Sequence, residues 1–247
     1  MSALSIAQLS FLCVFGGALV GFWLRGRLPE HHLHEDSKTV VQLGTGLVAT
    51  LAALVLGMLT ASAKAKFDTQ SDEVQQTGAN IVLLDRALAR YGNETAPIRA
   101  QVKKALEVMV ANWDHAGPAT GSAPPVLETI QLEIRDLSAM TDAQKSLQSR
   151  ALDLTYSLAN TRWLALEQSG SNVSYPLLVV LVSWLTAIFL SFGLMARPNA
   201  TIVAVLLVSA LSVSTAIFLI FELDQPFHGL IHISGEPLRV ALTQVGL

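Results

Sequence analysis

The sequence predicts an all-α membrane protein: four transmembrane helices with a helical extramembrane bundle between the second and the third. Three observations carry that prediction. The 247-residue chain is 51% hydrophobic and only 14% charged, with a mean hydropathy of +0.48, too apolar for a soluble domain of this length. Four long runs, two near each end, hold no acid or base deep within them and suit a hydrocarbon core. The stretch between the two pairs shows helical periodicity and nowhere alternates with a period of two, so no sheet is expected. The expected division is 1–65 for the first transmembrane pair, 66–173 for the helical domain, 174–222 for the second pair, and 223–247 for an interfacial C-terminal segment.

The first run, from about Leu4 to Leu24, lacks a basic leader and has no small-residue cleavage site before Trp23-Leu24-Arg25. We expect a retained span. Within it Gly17 and Gly21 form a GxxxG pair, whose expected partner is the small-residue stripe of the second span. The single cysteine, Cys13, lies in this run and forms no intramolecular disulfide.

The loop RGRLPEHHLHEDSK, Arg25 to Lys38, follows. Pro29 suits a first helical turn, and Asp36 or Ser37 suits the cap of the second span. If the loop is helical, His31, His34 and Glu35 share a face. Imidazole and carboxylate at that spacing are a candidate site for a divalent metal; the alternative is a solvated interfacial turn. No other cofactor is expected.

The second span organises the chain. Val40 to Ala63 reads VVQLGTGLVATLAALVLGMLTASA, uncharged between Lys38 and Lys64. At ~1.5 Å per residue it makes a rod of about 37 Å, enough to cross a core of ~30 Å with some tilt. Thr45, Ala49, Ala53, Gly57, Ala61 and Ala65 recur every fourth residue. This reads as a smooth stripe for close helix packing, or as the lining of a central pathway in an oligomer, with Thr45, Ala49, Ala53, Gly57 and Thr60 near the passage and Lys38 and Lys64 at its mouths.

Beyond Ala65 the helix is expected to continue, with Val74, Ile81, Leu84, Leu88 and Tyr91 as an apolar seam ended by Gly92 and Pro97. A second amphipathic helix carries Ile98, Val102, Ala105, Met109 and Trp113. Asp114 to Pro125 is a connector by composition, followed by a short helix with Leu127, Ile130, Ile134 and Leu137. Thr141 with Gln144 resembles a capping box and opens a helix burying Leu147, Ala151, Leu154 and Leu158. Asp85 and Arg162 are candidates for an ion pair across antiparallel helices, structural rather than part of transport.

Pro176 to about Ala196 forms the third span, Arg197-Pro198-Asn199 a tight return, and Ala200 to Phe221 the fourth. Ser209, Ser212, Ser214 and Thr215 bond back to their own helix or face a wet interior. Positively charged residues near the membrane are too evenly divided to orient the protein: Arg25, Arg27, Lys38 and Arg197 lie on one side, and Lys64, Lys66 and Arg162 on the other.

The net charge of −3, with no basic block, points away from nucleic acid. No G-x-S-x-G, H-E-x-x-H, phosphate loop or cysteine pair is present, so no enzyme chemistry emerges. The lack of an ionisable group deep within any span argues against a proton-coupled pump. A pore lined by Gly, Ala, Thr and Ser remains compatible, and rings of Lys38 and Lys64 would favour anions, with Glu35, Asp36 and Asp68 offsetting part of that field.

The phrases RLPEHHLHEDSK, LGTGLVATLAALVLGMLTASAK, LLDRALARYG, TRWLALEQ and ELDQPFHGLIHIS resemble a bestrophin-like bacterial integral membrane family, a domain of unknown function, over essentially the full chain. The resemblance implies a homopentameric ion channel of the bacterial inner membrane, with two spans, a cytosolic helical domain and two more spans, the second span lining the neck. Bestrophin necks are made by bulky hydrophobics, whereas this second span presents small residues. A membrane scaffold or sensor, whose helical domain binds a partner or ligand, is the alternative reading.

Overall fold

The computed structural model describes residues 2–27, 35–116, 126–167, 175–227 and 229–246, all helix or connection, with no strand among them. The helices are α1 (Ala3–Arg25), α2 (Glu35–Tyr91), α3 (Ala96–Ala116), α4 (Val126–Arg135), α5 (Asp142–Glu167), α6 (Tyr175–Met195), α7 (Ala200–Asp224) and α8 (Glu236–Gln244). Four of them, α1, α2, α6 and α7, contain stretches long and apolar enough to cross a membrane. The chain forms two compact units, Met1–Lys66 with Ser171–Gln225 and Phe67–Gly170 with Pro226–Leu247; α2 contributes its first half to one and its second half to the other.

In the membrane unit, α1 packs on α6 and α7. The core holds Val14, Ala18, Leu181, Ala210 and Ile217, each fully buried, with Ala52, Leu59 and Ala63 of α2 against it. The glycine pair of α1 does not meet the second span as expected. A Cβ on Gly17 would stand 2.8 Å from the Thr186 carbonyl, and one on Gly21 would clash with the Leu190 carbonyl; on α6, a Cβ on Gly193 would clash with the Ala18 carbonyl. The small residues of α1 therefore serve α6, which offers a matching glycine, and the two backbones touch. Arg25 seals the contact by donating to the carbonyls of Leu194 (3.1 Å) and Met195 (2.6 Å), the last acceptors of α6. Asn199 caps α7 by accepting from the Ile202 amide at 2.8 Å.

Helix α2 runs from Glu35, so Asp36 and Ser37 stand inside its first turn rather than at its cap. It stops at Gly92, whose φ of +148° lies where side chains are strained. There Thr95, fully buried, donates to the Leu88 carbonyl at 2.6 Å, and α3 folds back.

In the helical unit the predicted seam is the core: Val74, Ile81, Leu84, Leu88 and Tyr91 are all buried, as are Ile98, Val102, Trp113, Ile130, Ile134, Ala151 and Leu154. The capping box at α5 forms, with the Gln144 amide donating to Thr141 Oγ1 (3.1 Å) and the Thr141 amide to Gln144 Oε1 (3.2 Å). One candidate pairing does not form. Asp85 pairs with Arg99, not Arg162, because the tight turn after Tyr91 brings α3 straight back along α2. The Arg99 guanidinium donates twice to the Asp85 carboxylate, at 2.8 and 2.9 Å. The C-terminal segment, expected to lie at the interface rather than span, packs Ile233, Leu238, Ala241 and Val245 into this core. The Gly246 amide donates to Asp85 at 3.2 Å, and the Trp113 indole to the Ile233 carbonyl at 3.2 Å. Its amphipathic face buries against helices, an outcome the same pattern permits as readily as a lipid surface.

Candidate permeation face of the second helix

A helix advances roughly 100° per residue, so a four-residue step overshoots a full turn by about 40°. The stripe from Thr45 to Ala65 therefore winds around α2 instead of holding one face. Thr45 and Ala49 are half-buried and, with Gln42 and the exposed Gly46 at its edge and Ser191, Phe192 and Met195 of α6, line a small cavity of about 150 Å³. Ala53, Gly57 and Thr60 are exposed. The five residues singled out on the sequence thus fall into two groups, two turned toward α6 and three turned outward.

The face that does stay in register follows a 3.5-residue repeat. Gly46, Thr50, Ala53, Gly57, Thr60 and Lys64 succeed one another at steps of four and three, the spacing that keeps a single seam along a helix, and all six are exposed. Nothing lies within 4 Å of where a Cβ would stand on Gly46 or Gly57. Gly46 and Thr50 were legible in the alternation of four and three, a signal the four-residue pattern hides.

The other exposed flank of α2 differs in kind. Leu47, Leu51, Leu54 and Met58 stand 66%, 41%, 69% and 63% exposed. Ala52, Leu59 and Ala63 point to the protomer's own core. So α2 carries three seams: one inward, one bulky and apolar, and one of glycine, alanine, threonine and lysine.

Within the third seam the hydroxyl protons are already committed. Thr50 Oγ1 donates to the Gly46 carbonyl at 3.0 Å, and Thr60 Oγ1 to the Leu56 carbonyl at 2.8 Å. These oxygens present lone pairs outward and no donor. Charge enters only at the ends. Lys64 is exposed. Lys38 lies in α2, but its side chain is outside the described residues. The neighbouring Lys66 is half-buried and donates to the Asp224 carboxylate at 3.1 Å and the Asp224 carbonyl at 3.3 Å, tying the end of the span to the end of α7. His31 and His34 lie outside the described residues, as does the side chain of Glu35; among the described residues no three metal-ligating side chains gather.

A family model described as a Bestrophin-like domain matches residues 12–238. The chain is similar to a crystal structure of a mutated bacterial bestrophin homolog from Klebsiella pneumoniae, with a TM-score of 0.59, 15% identity and 96% of each chain covered. That likeness is one of fold. No curated protein matches.

Proposed function

Because the chain belongs to the Bestrophin-like family, we propose that it works as a homo-oligomeric ion channel of the bacterial inner membrane. By analogy five copies gather with the small-residue seam of α2 around a central passage and the helical domain in the cytosol. The observation supporting this most is that seam: six exposed positions in register on an uncharged membrane helix, with open space beyond its glycines. A lipid-facing helix has no need of threonine and glycine there, whereas small side chains and oxygens suit the wall of a passage.

Selectivity rests on the ends. Thr50 and Thr60 offer an anion no donor, so a preference for anions comes from Lys64 and Lys38. The test is reconstitution of the full chain into planar bilayers. Unitary currents are expected, lowered several-fold by Gly57→Trp and unchanged by Leu54→Trp on the other flank. The reversal potential under a salt gradient is expected to move toward the cation value in Lys64→Glu. Silent bilayers holding verified, oriented oligomer would refute the channel reading.

A second reading, a non-conducting scaffold or sensor, draws on a cavity of about 480 Å³ inside the helical unit. A sealed interior in an image of the assembled particle would favour it. Divalent-metal binding at His31, His34 and Glu35 is a separate proposal, removed if metal content is unchanged in a His31→Ala, His34→Ala variant.

A further inference from the structure

Three arginines meet where α1 and α6 end. Arg25 commits its guanidinium to the Leu194 and Met195 carbonyls, at 3.1 and 2.6 Å. That contact brings two further cations to the same end of the membrane unit. Arg27 follows Arg25, and Arg197 follows Met195, by two residues, each within about 7.6 Å along the chain at ~3.8 Å per step. Both are exposed.

Arg27 is held in place. Its guanidinium carbon lies 3.7 Å from the centre of the Trp23 ring, and Trp23, in the last turn of α1, is 56% exposed. An indole at the end of an apolar span sits at headgroup level, so the cation stacked on it is kept at that depth. The ring is no substitute for oxygen acceptors, and among the described residues none bonds the Arg27 N–H groups. Below Trp23 the same face of α1 carries Leu12 and Leu19, 65% and 47% exposed, at helical spacing. A cation above an exposed apolar strip matches a phospholipid, phosphate above and acyl chain below.

Negative charge is missing from this end. The carboxylates among the described side chains of the membrane unit are Glu222 and Asp224, in the last turn of α7. Helix α7 sets them about 33 and 36 Å from Ala200, beside Arg197, at 1.5 Å per residue. That is several Debye lengths at ~8 Å each, too far to offset the arginines.

We infer that this end of the membrane unit binds the headgroup phosphate of an anionic phospholipid, with Arg27, pinned by Trp23, and Arg197 as its cations and Leu12 and Leu19 along its acyl chain. The planar guanidinium fork suits phosphate oxygens, and a headgroup with its own ammonium would return positive charge to the cluster. The site is separate from the seam of α2 and holds whether or not the protein conducts.

The test uses the full chain purified in a neutral detergent. Dioleoyl-phosphatidylglycerol, dioleoyl-phosphatidylcholine and inorganic phosphate are the probes, at equal concentration, with adducts counted by native mass spectrometry. Phosphatidylglycerol adducts should exceed phosphatidylcholine adducts several-fold, since the two share chains and phosphate and differ in net charge. Phosphate alone should give none. Arg27→Gln and Arg197→Gln should each weaken phosphatidylglycerol binding about 5-fold, the worth of one basic residue near an anionic lipid. Trp23→Leu keeps every charge and should weaken it about 2- to 5-fold, the worth of an exposed cation–π contact. Lys103→Gln removes an exposed cation of the helical unit and should change nothing. Equal binding of the two lipids would overturn the inference. So would an Arg27→Gln loss no larger than that of Lys103→Gln, a Trp23→Leu variant that binds as wild type does, or phosphate adducts as abundant as the lipid's.

Discussion

Replacing Asp85 by Asn should destabilise the helical unit more than any other single polar substitution in it. The Asp85 side chain is 3% exposed and accepts two guanidinium hydrogen bonds from Arg99, at 2.8 and 2.9 Å, and one from the Gly246 amide. Asparagine keeps the shape but removes the charge and turns a donor toward a donor. Breaking one side of a buried ion pair costs about 3–5 kcal/mol. Arg99 retains 23% of its side-chain exposure and recovers some hydration, so the lower end, about 3 kcal/mol, is expected. For a chain of this size that is roughly 6–12 °C in melting temperature, read by circular dichroism on purified protein at one fixed scan rate. The double variant Asp85→Asn, Arg99→Met should lose less than the sum of the single losses, by at least about 1.5 kcal/mol, because the two side chains share one interaction. A single-variant loss under about 1 kcal/mol, or additive losses in the cycle, would refute the reasoning.

The Lys66–Asp224 bond, its side chains 10% and 2% exposed, predicts that Lys66→Met lowers the melting temperature; an unchanged value would refute it. Gly193→Val should separate α1 from α6, since its first added carbon already clashes with the Ala18 carbonyl; loss of folded protein on size-exclusion chromatography is the expected result. In a Cys13→Ser background, Gly57→Cys should react with a water-soluble thiol reagent far faster than Ala52→Cys, which is buried; equal rates would remove Gly57 from any passage. Burial raises the Glu73 carboxyl above its ordinary 4.5, so the folded state holds that proton more firmly than the unfolded state. The resulting stability is full below pH 4.5 and is lost as pH rises through the folded value. Glu73→Gln should therefore melt higher than wild type at about pH 7 and no higher at about pH 4.

The helices were legible because their apolar periodicity has one physical cause, burial of one face, and the seam from Val74 to Tyr91 packs as its spacing says. Local chemistry read as well: the Thr141–Gln144 box needs only three residues of chain to form. What the sequence hid was the identity of partners across space. Gly17 and Gly21 announce a close approach but not that α6, rather than α2, makes it. Asp85 announces a cation, and two arginines were in reach; the sharp turn at Gly92, which returns the chain along α2, selects Arg99. The candidate face of α2 was half legible. Small residues mark it, but a four-residue count assigns Thr45 and Ala49 to a surface that they leave, and only the steps of four and three hold the outward line from Gly46 to Lys64. The packing of the segment after Gln225 on the helical core was not legible, because a weakly amphipathic stretch looks the same whether lipid or protein covers it.

The clasp between α1 and α6 also bears on how the molecule is made. Arg25 and the Leu194 carbonyl that it binds are 169 residues apart, so at a synthesis rate of roughly 5–20 residues per second the first helix waits about 10–30 s before its partner leaves the ribosome. Through that interval its glycine-bearing side has only lipid or the insertion machinery for company. A chain halted before α6 would thus be a substrate for membrane quality control, and early truncations of this protein should be degraded rather than accumulate.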